Sequence, residues 1–210
     1  MIIAIDGYSS TGKSTLAKML AEKIGCRHLN SGLIYRAISY NLLLNGINKS
    51  NYEHSIEKTK EITETFIIDL DQIQKIISEI KSKEVTEFGT KIAKLQFVRD
   101  RVTEVMHEAS TNSDIIVEGR DIGTVLFPNA EIKFFFKADS AIRAVRLGAE
   151  RNSNDFEALK VEIETRDRED ETREISPLKR AKDAIDIDTG QISVPETLEL
   201  LEYYINEFKK

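Results

Sequence analysis

The most restrictive stretch of this chain lies at its start, where Ile2-Ile3-Ala4-Ile5-Asp6 runs straight into Gly7-Tyr8-Ser9-Ser10-Thr11-Gly12-Lys13-Ser14. The second segment satisfies G-x-x-x-x-G-K-[ST] at every fixed position. The apolar run before Asp6 predicts a short strand buried on both faces, as in a parallel sheet covered by helices. Beyond the motif, Leu16, Leu20 and Ile24 recur four apart, which predicts a helix over 14–24, ended by Gly25. A strand, a glycine-bearing loop and a helix in that order form a cradle for anions. Gly7 and Gly12 allow the backbone to turn its N–H groups inward, and the start of the helix adds positive potential at the same place. Lys13 supplies a mobile positive charge for β- and γ-phosphates, and the Ser14 hydroxyl suits Mg²⁺. The expected donor site is thus Gly7, Tyr8, Ser9, Ser10, Thr11, Gly12, Lys13 and Ser14, with Thr15 following. A chance Gly/Ser-rich turn is the competing reading, and the complete pattern with correct flanks weighs against it. The motif alone does not choose among kinase, ATPase and GTPase.

The rest of the chain alternates in kind. Strands are predicted at 26–30, 114–117, 132–136 and 184–187. Helices are predicted at 33–45, stopped by Gly46, at 90–110, at 140–151, and from Asn154 or Asp155 to about Thr172. Ser193-x-x-Glu196 is a capping box that opens a last helix. The charged stretch 49–87 has a helical piece near 53–64 and apolar groups at Phe66-Ile67-Ile68 and Ile76-Ile77. It reads as a small lobe inserted into the main domain. Strands alternating with helices imply an α/β protein with a parallel five-stranded sheet and right-handed crossovers, the three-layer P-loop NTPase arrangement.

Composition excludes several functions. The 210 residues carry a formal net charge of −6, which argues against non-specific binding to nucleic acid. Bound polyphosphate must therefore be met by locally placed Lys and Arg. With 40% hydrophobic and 31% charged residues and no long apolar run, a soluble protein without a membrane span is expected. Ile2 to Ile5 lacks the basic start and the length of a signal peptide. A single cysteine, Cys26, allows neither an internal disulfide nor a multi-Cys metal site, and fits the reducing cytoplasm. His28, His54 and His107 show no metal-ligand spacing and read as structural or surface residues.

Four clusters address a second substrate. Ser31-Gly32-Leu33-Ile34-Tyr35-Arg36 offers Ser31 as a helix cap and Arg36 on the second turn, which equally describes a capped helix with a solvated arginine. Glu118-Gly119-Arg120-Asp121 follows the strand ending at Val117. That is where ligands bind in open α/β sheets, and Glu118 stands where an acidic group holds the waters of Mg²⁺. In Arg166-Asp167-Arg168-Glu169-Asp170-Glu171-Thr172-Arg173, helical spacing puts Arg166, Asp170 and Arg173 on one face. A salt-bridged solvent face is the alternative for that octet. Thr90 and Arg99 are placed on the long helix, where surface roles are common.

Together these phrases resemble the bacterial cytidylate kinases. They are Ile5-Asp6-Gly7 leading into the cradle, Asn30-Ser31-Gly32-Leu33-Ile34-Tyr35-Arg36, Val117-Glu118-Gly119-Arg120-Asp121-Ile122-Gly123-Thr124-Val125-Leu126-Phe127-Pro128, Arg166-Asp167 through Arg173, Ile175-Ser176-Pro177-Leu178, and Ala184-Ile185-Asp186-Ile187-Asp188-Thr189. They span almost the whole chain. The sequence departs from the family in having Lys13-Ser14 for Lys-Gly-Thr, Glu118 for Asp, Thr90 for Ser, and Val145 within the usual arginine run. The inserted lobe also lacks the family's glycine-bearing turn.

The resemblance implies transfer of the γ-phosphoryl group of ATP to CMP or dCMP. Other P-loop small-molecule kinases (other nucleotides or shikimate) and a non-catalytic nucleotide-binding module are the alternatives. The resemblance implies one kinase domain over 1–210, with an inserted NMP-binding lobe at about 47–89 and a lid at about 143–166. It gives Arg36, Arg120 and Arg173 the acceptor phosphate. It gives Ser31, Thr90, Arg99 and Asp121 the cytosine, and Arg166 and Asp170 the sugar. Arg143 and Arg146 become lid arginines over ATP, and Ser14 with Glu118 (through water) the Mg²⁺ ligands. Lys13, Arg120, Arg173, Arg143 and Arg146 are the expected catalytic set. No nucleic acid, no membrane and a monomeric cytoplasmic enzyme complete the expectation.

Overall fold

The computed structural model of the protein describes residues 1–67, 69–111 and 113–210. Ile68, the last of the apolar triple 66–68, lies outside the described residues. The chain divides into two compact units, Met1–Leu29 with Asn112–Lys210, and Asn30–Thr111.

The first unit is built on a sheet. Its strands are β1 (Ile2–Gly7), β2 (Arg27–Asn30), β3 (Ile115–Glu118), β4 (Ile132–Lys137) and β5 (Ile185–Asp188), in spatial order β2-β3-β1-β4-β5. β1 lies in the centre, parallel to both neighbours, with Ile3 opposite Ile116 and Ile5 opposite Phe134; β4 pairs in parallel with β5. Ile3, Ala4 and Ile5 are wholly buried. That is the consequence of a strand that is apolar from Ile2 to Ile5 and has a partner on each edge. Alternation along β4 sorts its aromatics. Phe134 and Phe136 join Ile3 and Ile5, Leu16 and Leu20 of α1 (Lys13–Ile24), and Leu201 and Ile205 of α10 (Val194–Phe208). Phe135 instead packs with Leu178, Ala181, Ala184 and Tyr8. Successive strand residues point to opposite faces, so one strand supplies core to both. α8 (Ser140–Arg151) and α9 (Phe156–Thr172) bury Ala144, Leu147, Leu159 and Ile163 against each other.

Local signals set the helix ends as their chemistry requires. Gly25 closes α1 in the left-handed conformation (φ 71°), Asp155 accepts the Ala158 N–H at the start of α9, and Ser193 and Glu196 form the reciprocal capping box of α10. A π-helical turn at Ile122–Leu126 follows Asp121, a feature that periodicity does not announce.

The second unit is helical. It comprises α2 (Ser31–Leu44), α3 (Ile56–Thr65), α4 (Leu70–Lys75), α5 (Ile77–Ile80), α6 (Lys83–Ile92) and α7 (Gln96–Ser110). Ala37, Ile73, Ile80 and Val85 form a core with Leu33, Tyr40, Leu43, Phe66 and Ile76 packed against it. Two expectations are corrected here. The single helix over 90–110 is two helices, because Leu95 is extended (φ −89°, ψ 125°) at the start of α7. Ile92 closes one helix and Val98 belongs to the next, both fully buried, so apolar spacing runs through a break it cannot reveal. Ser31 is also not the cap of α2. Asn30 is, in extended conformation, its side chain accepting the Leu33 N–H at 3.2 Å. Ser31 is already helical and buried.

No helix among the described residues is long and apolar enough to cross a membrane.

Candidate active site

The loop between β1 and α1 takes the conformation its glycines permit. Gly7 has φ 142°, and a Cβ there would stand 2.1 Å from the Phe136 carbonyl oxygen. Gly12 caps α1 at φ 89°. Ser10 also takes a positive φ of 55°, a conformation rare for a residue with a side chain. Thr11 Oγ1 donates to the Tyr8 carbonyl at 3.0 Å. Lys13 is buried within the loop, its ammonium bonded to the Tyr8 carbonyl and, at 3.3 Å, to Thr11 Oγ1. Burial, reinforced by the Arg120 guanidinium, holds its pKa well below the ordinary lysine value, with Glu118 acting in the opposite sense. Neutral oxygens are weak compensation for a buried cation, so an arriving phosphate would supply the counter-charge. Ser14 and Thr15 lie exposed on the first turn of α1.

The end of β3 delivers the acidic partner. Glu118 Oε2 accepts the Ser14 hydroxyl at 2.9 Å, and Glu118 Oε1 lies 2.9 Å from His28 Nε2 on β2. A hydroxyl and a buried carboxylate from two element ends are hard oxygen donors, few in number, as suits Mg²⁺ that keeps most of its waters. Among the described residues no group of three acidic, His or Cys side chains forms a metal cage. The Ser14 hydroxyl and the Glu118 carboxylate are the oxygen donors this corner offers to such an ion.

Two residues beyond Glu118, Arg120 and then Asp121 meet the end of α9. Arg120 Nε donates to Asp170 Oδ2 at 2.8 Å. Arg173 reaches Asp121 Oδ1 at 3.3 Å through Nη2 and Asp170 Oδ1 at 3.5 Å through Nη1, and its Nε donates to the Ser176 carbonyl at 2.6 Å. Arg173 is the cap of α9 (φ −60°, ψ 140°), where the chain leaves the helix. Burial works to raise the Asp170 pKa, but Arg120, Arg166 and Arg173 together bring it below the usual carboxylate value. The structure thus gathers Lys13, Arg120, Asp121, Arg166, Asp170 and Arg173 into one charged assembly. The octet is not a plain solvent face.

Arg143 and Arg146 attach to the phosphate loop itself. Arg143 donates to the Ser9 carbonyl at 3.1 Å and to Asp167, and lies over the Tyr8 ring. Arg146 donates to the Thr189 carbonyl at 2.7 Å, to Thr189 Oγ1 at 3.2 Å and to the Thr11 carbonyl at 3.5 Å.

The remaining site residues belong to the helical unit. Ser31 and Arg36 are on α2, Thr90 on α6 and Arg99 on α7. Arg99 is buried, donates to the Ala93 carbonyl at 3.2 Å and lies over the Tyr35 ring at 5.9 Å. The stem of Arg36 lies beside Gly89, where a Cβ would stand 3.9 Å from Arg36 Cγ and 3.3 Å from Ser39 Oγ. The absent side chain therefore lets α6 approach α2. Thr90 Oγ1 turns back to the Thr86 carbonyl at 3.2 Å.

Sequence reasoning missed four participants. Asp6 accepts the Ile122 and Gly123 N–H groups, each at 2.8 Å, and burial pushes its pKa up to about 6. His28 holds Glu118, and Asp167 holds Ser9. Thr189 donates to the Thr11 carbonyl at 2.8 Å. Only Asp6 carried a local signal, a charge at the end of an otherwise apolar strand. The others depend on long-range pairing.

The family model described as "Cytidylate kinase" matches residues 3–207. A cytidylate kinase of Thermotoga neapolitana is 37% identical over 219 residues, covering 99% of this chain and 98% of the relative. In fold, the chain is similar to an uncharacterized protein of Eubacterium ventriosum (TM-score 0.58, 13% identity, 98% of each chain covered) and to a shikimate kinase of Bacteroides thetaiotaomicron (TM-score 0.50, 11% identity, 98% of each). A five-stranded parallel sheet, a phosphate loop at the end of its central strand, and a match along nearly the whole sequence agree with one another: the chain belongs to the cytidylate kinase family.

Proposed function

We propose that this protein transfers the γ-phosphoryl group of ATP to CMP or dCMP, giving ADP and CDP or dCDP. The observation that carries the reading is the assembly beside Lys13. There the loop of the donor cradle, the Ser14–Glu118 pair and the guanidinium groups of Arg120 and Arg173 occupy adjacent ends of β1 and β3 and the end of α9. A non-catalytic nucleotide-binding module would have no use for a second set of arginines next to the donor loop. The number of arginines fits a phosphorylated acceptor better than shikimate, whose only charge is one carboxylate.

Phosphoryl transfer requires positioning and charge neutralisation more than covalent chemistry. No residue acts as nucleophile. The acceptor's phosphate oxygen attacks the γ-phosphorus in line, and the bond to the β,γ-bridging oxygen breaks, leaving ADP. Lys13 and the loop N–H groups stabilise the charge that spreads over the transferring group. Arg120 and Arg173 orient the acceptor phosphate, which planar guanidinium forks do well. Ser14 and Glu118 would hold Mg²⁺, which neutralises the β- and γ-oxygens when bound. Asp121 accepts from the amino group of cytosine, a donor that uracil lacks. Arg166 and Asp170 serve the sugar. Arg36 is assigned to the acceptor phosphate, and Ser31, Thr90 and Arg99 to cytosine, on the strength of the resemblance. Arg143 and Arg146 hold the loop that receives ATP. A lobe at about 47–89 and a lid at about 143–166 that exclude water on closure belong to the same proposal, as do a monomeric state and a cytoplasmic location.

The test is an ADP-release assay across CMP, dCMP, UMP, AMP, GMP and shikimate with ATP and Mg²⁺. CMP and dCMP should turn over far faster than the rest. A preference for any other acceptor would overturn the assignment.

A further inference from the structure

Two carboxylates one helical turn apart on α9, Asp167 and Glu171, grip the phosphate loop. Asp167 Oδ1 accepts both the Ser9 N–H at 3.1 Å and the Ser9 hydroxyl at 2.8 Å, while Oδ2 accepts from Arg143 Nη1. Glu171 Oε1 accepts the Tyr8 hydroxyl at 2.8 Å. Arg143 closes the ring of contacts. Its Nη1 also donates to the Ser9 carbonyl, its Nε donates to the Ala138 carbonyl at 2.9 Å, and its guanidinium carbon lies 5.4 Å from the centre of the Tyr8 ring. Ser9, Asp167 and Arg143 are 4%, 5% and 6% exposed. The phosphate-binding pattern requires none of this, since Tyr8 and Ser9 stand at its variable positions. The same helix carries Arg166 and Asp170, which act on Lys13 and Arg120, and ends at Arg173.

We propose that Asp167 is a positioning residue: with Arg143 it fastens α9 to the phosphate loop, so that the donor cradle and the guanidinium groups of Arg166 and Arg173 are held as one rigid assembly. This rests on the reading of the protein as a (d)CMP kinase. The physical reason is preorganisation. A loop that must point several N–H groups at one phosphate gains affinity and rate if its shape exists before the ligand arrives. Asp167 satisfies the Ser9 N–H from behind and balances a buried guanidinium that would otherwise stand uncompensated. Arg143 is the first residue of the proposed lid, 143–166, and Asp167 follows its last. Their mutual bond therefore makes the base of that segment a fixed point, and any closure is confined to the residues between them.

The experiment uses the full chain. Asp167→Asn keeps the shape and one acceptor oxygen for Ser9 but cannot balance Arg143. By calorimetric titration, ADP should bind this variant about tenfold to a hundredfold more weakly, the scale of one buried charge-assisted hydrogen bond. At a temperature where circular dichroism shows both proteins folded, kcat with saturating ATP should fall by a similar factor, while KM for CMP stays within about twofold. In a double-mutant cycle with Arg143→Lys, the combined variant should lose little more than either single variant. A folded Asp167→Asn protein with unaltered ADP affinity and kcat, or losses that multiply in the cycle, would overturn the proposal. If Asp167→Asn does not fold, Ser9→Ala removes only the 2.8 Å hydroxyl bond. It should weaken ADP binding a few-fold, and unaltered affinity there also overturns it. Failure of the unmodified protein to phosphorylate CMP would instead reject the kinase reading, and the ADP titration would still report on the brace.

Discussion

Ser14 and Glu118, 104 residues apart in the chain, are joined by a hydrogen bond of 2.9 Å from hydroxyl to carboxylate. One lies on the first turn of the helix after the phosphate loop, and the other ends the strand beside β1. The sheet order β2-β3-β1-β4-β5 makes this meeting possible, because it places the end of β3 next to the end of β1. His28 steadies the other carboxylate oxygen from β2. The extra methylene of a glutamate, where the family usually has aspartate, is thus tethered at both oxygens.

Glu118→Gln keeps the size of the side chain and removes its charge. The rate of ADP release should then require more Mg²⁺, with the half-saturating concentration rising about tenfold to a hundredfold, the scale seen when partners of a metal site are removed. Titrating the rate with MgCl₂ at fixed ATP checks this. An unchanged Mg²⁺ dependence would remove Glu118 from the donor set.

Arg120→Ala deletes the guanidinium bonded to Asp170 and the charge proposed for the acceptor phosphate. Turnover of CMP should drop by about a hundredfold to a thousandfold, as when one preorganised donor to a developing charge is lost. Steady-state kinetics would reject the role if kcat/KM for CMP stayed near its starting value.

Asp121→Ala removes the acceptor assigned to the cytosine amino group. The ratio of kcat/KM for CMP over UMP should narrow by at least about tenfold, since an unsatisfied buried polar group no longer penalises uracil. Measuring both substrates on the same preparation decides it; an identical ratio would mean the base is read elsewhere.

Asp6 should titrate near pH 6, read from its side-chain carboxyl carbon by NMR. Burial is the main cause of the rise, with the Ile122 and Gly123 N–H groups acting against it. A raised folded-state pKa means that the fold favours the protonated acid. The stabilising contribution of this group is therefore complete below the ordinary aspartate value of 3.8 and is lost as pH climbs through about 6. Asp170 behaves in the opposite sense, because its guanidinium neighbours hold its pKa down, and its contribution is lost on acidification. A carboxyl resonance for Asp6 that titrates at an ordinary aspartate pH would contradict the assignment.

Much of the fold was legible because its signals are local. An apolar run ending in Asp6, a glycine-bearing loop and a four-residue apolar spacing define β1, the cradle and α1 within Ile2–Ile24. Asp155 and Ser193 announce helix starts by side-chain capping. The break at Leu95 was not legible, since both flanking helices bury apolar residues on a continuous helical rhythm. Nor was the choice of Asn30 over Ser31 as cap, two residue types of nearly equal capping strength. In the site, the roles of Lys13 and Ser14 follow from one contiguous motif. His28, Asp167 and Thr189 reach Glu118, Ser9 and Thr11 across 90, 158 and 178 residues, and a sequence read in windows gives no sign of such pairs.

The absence of a side chain at Gly7 has a consequence for anyone wishing to remodel this protein. Its α-carbon rests against the Phe136 carbonyl so closely that an alanine methyl would have to displace the backbone of β4. The first position of the nucleotide pocket and the middle of the hydrophobic interior are therefore two sides of a single wall. Library design aimed at new triphosphate donors gains nothing at Gly7, where any side chain collides with the backbone of β4.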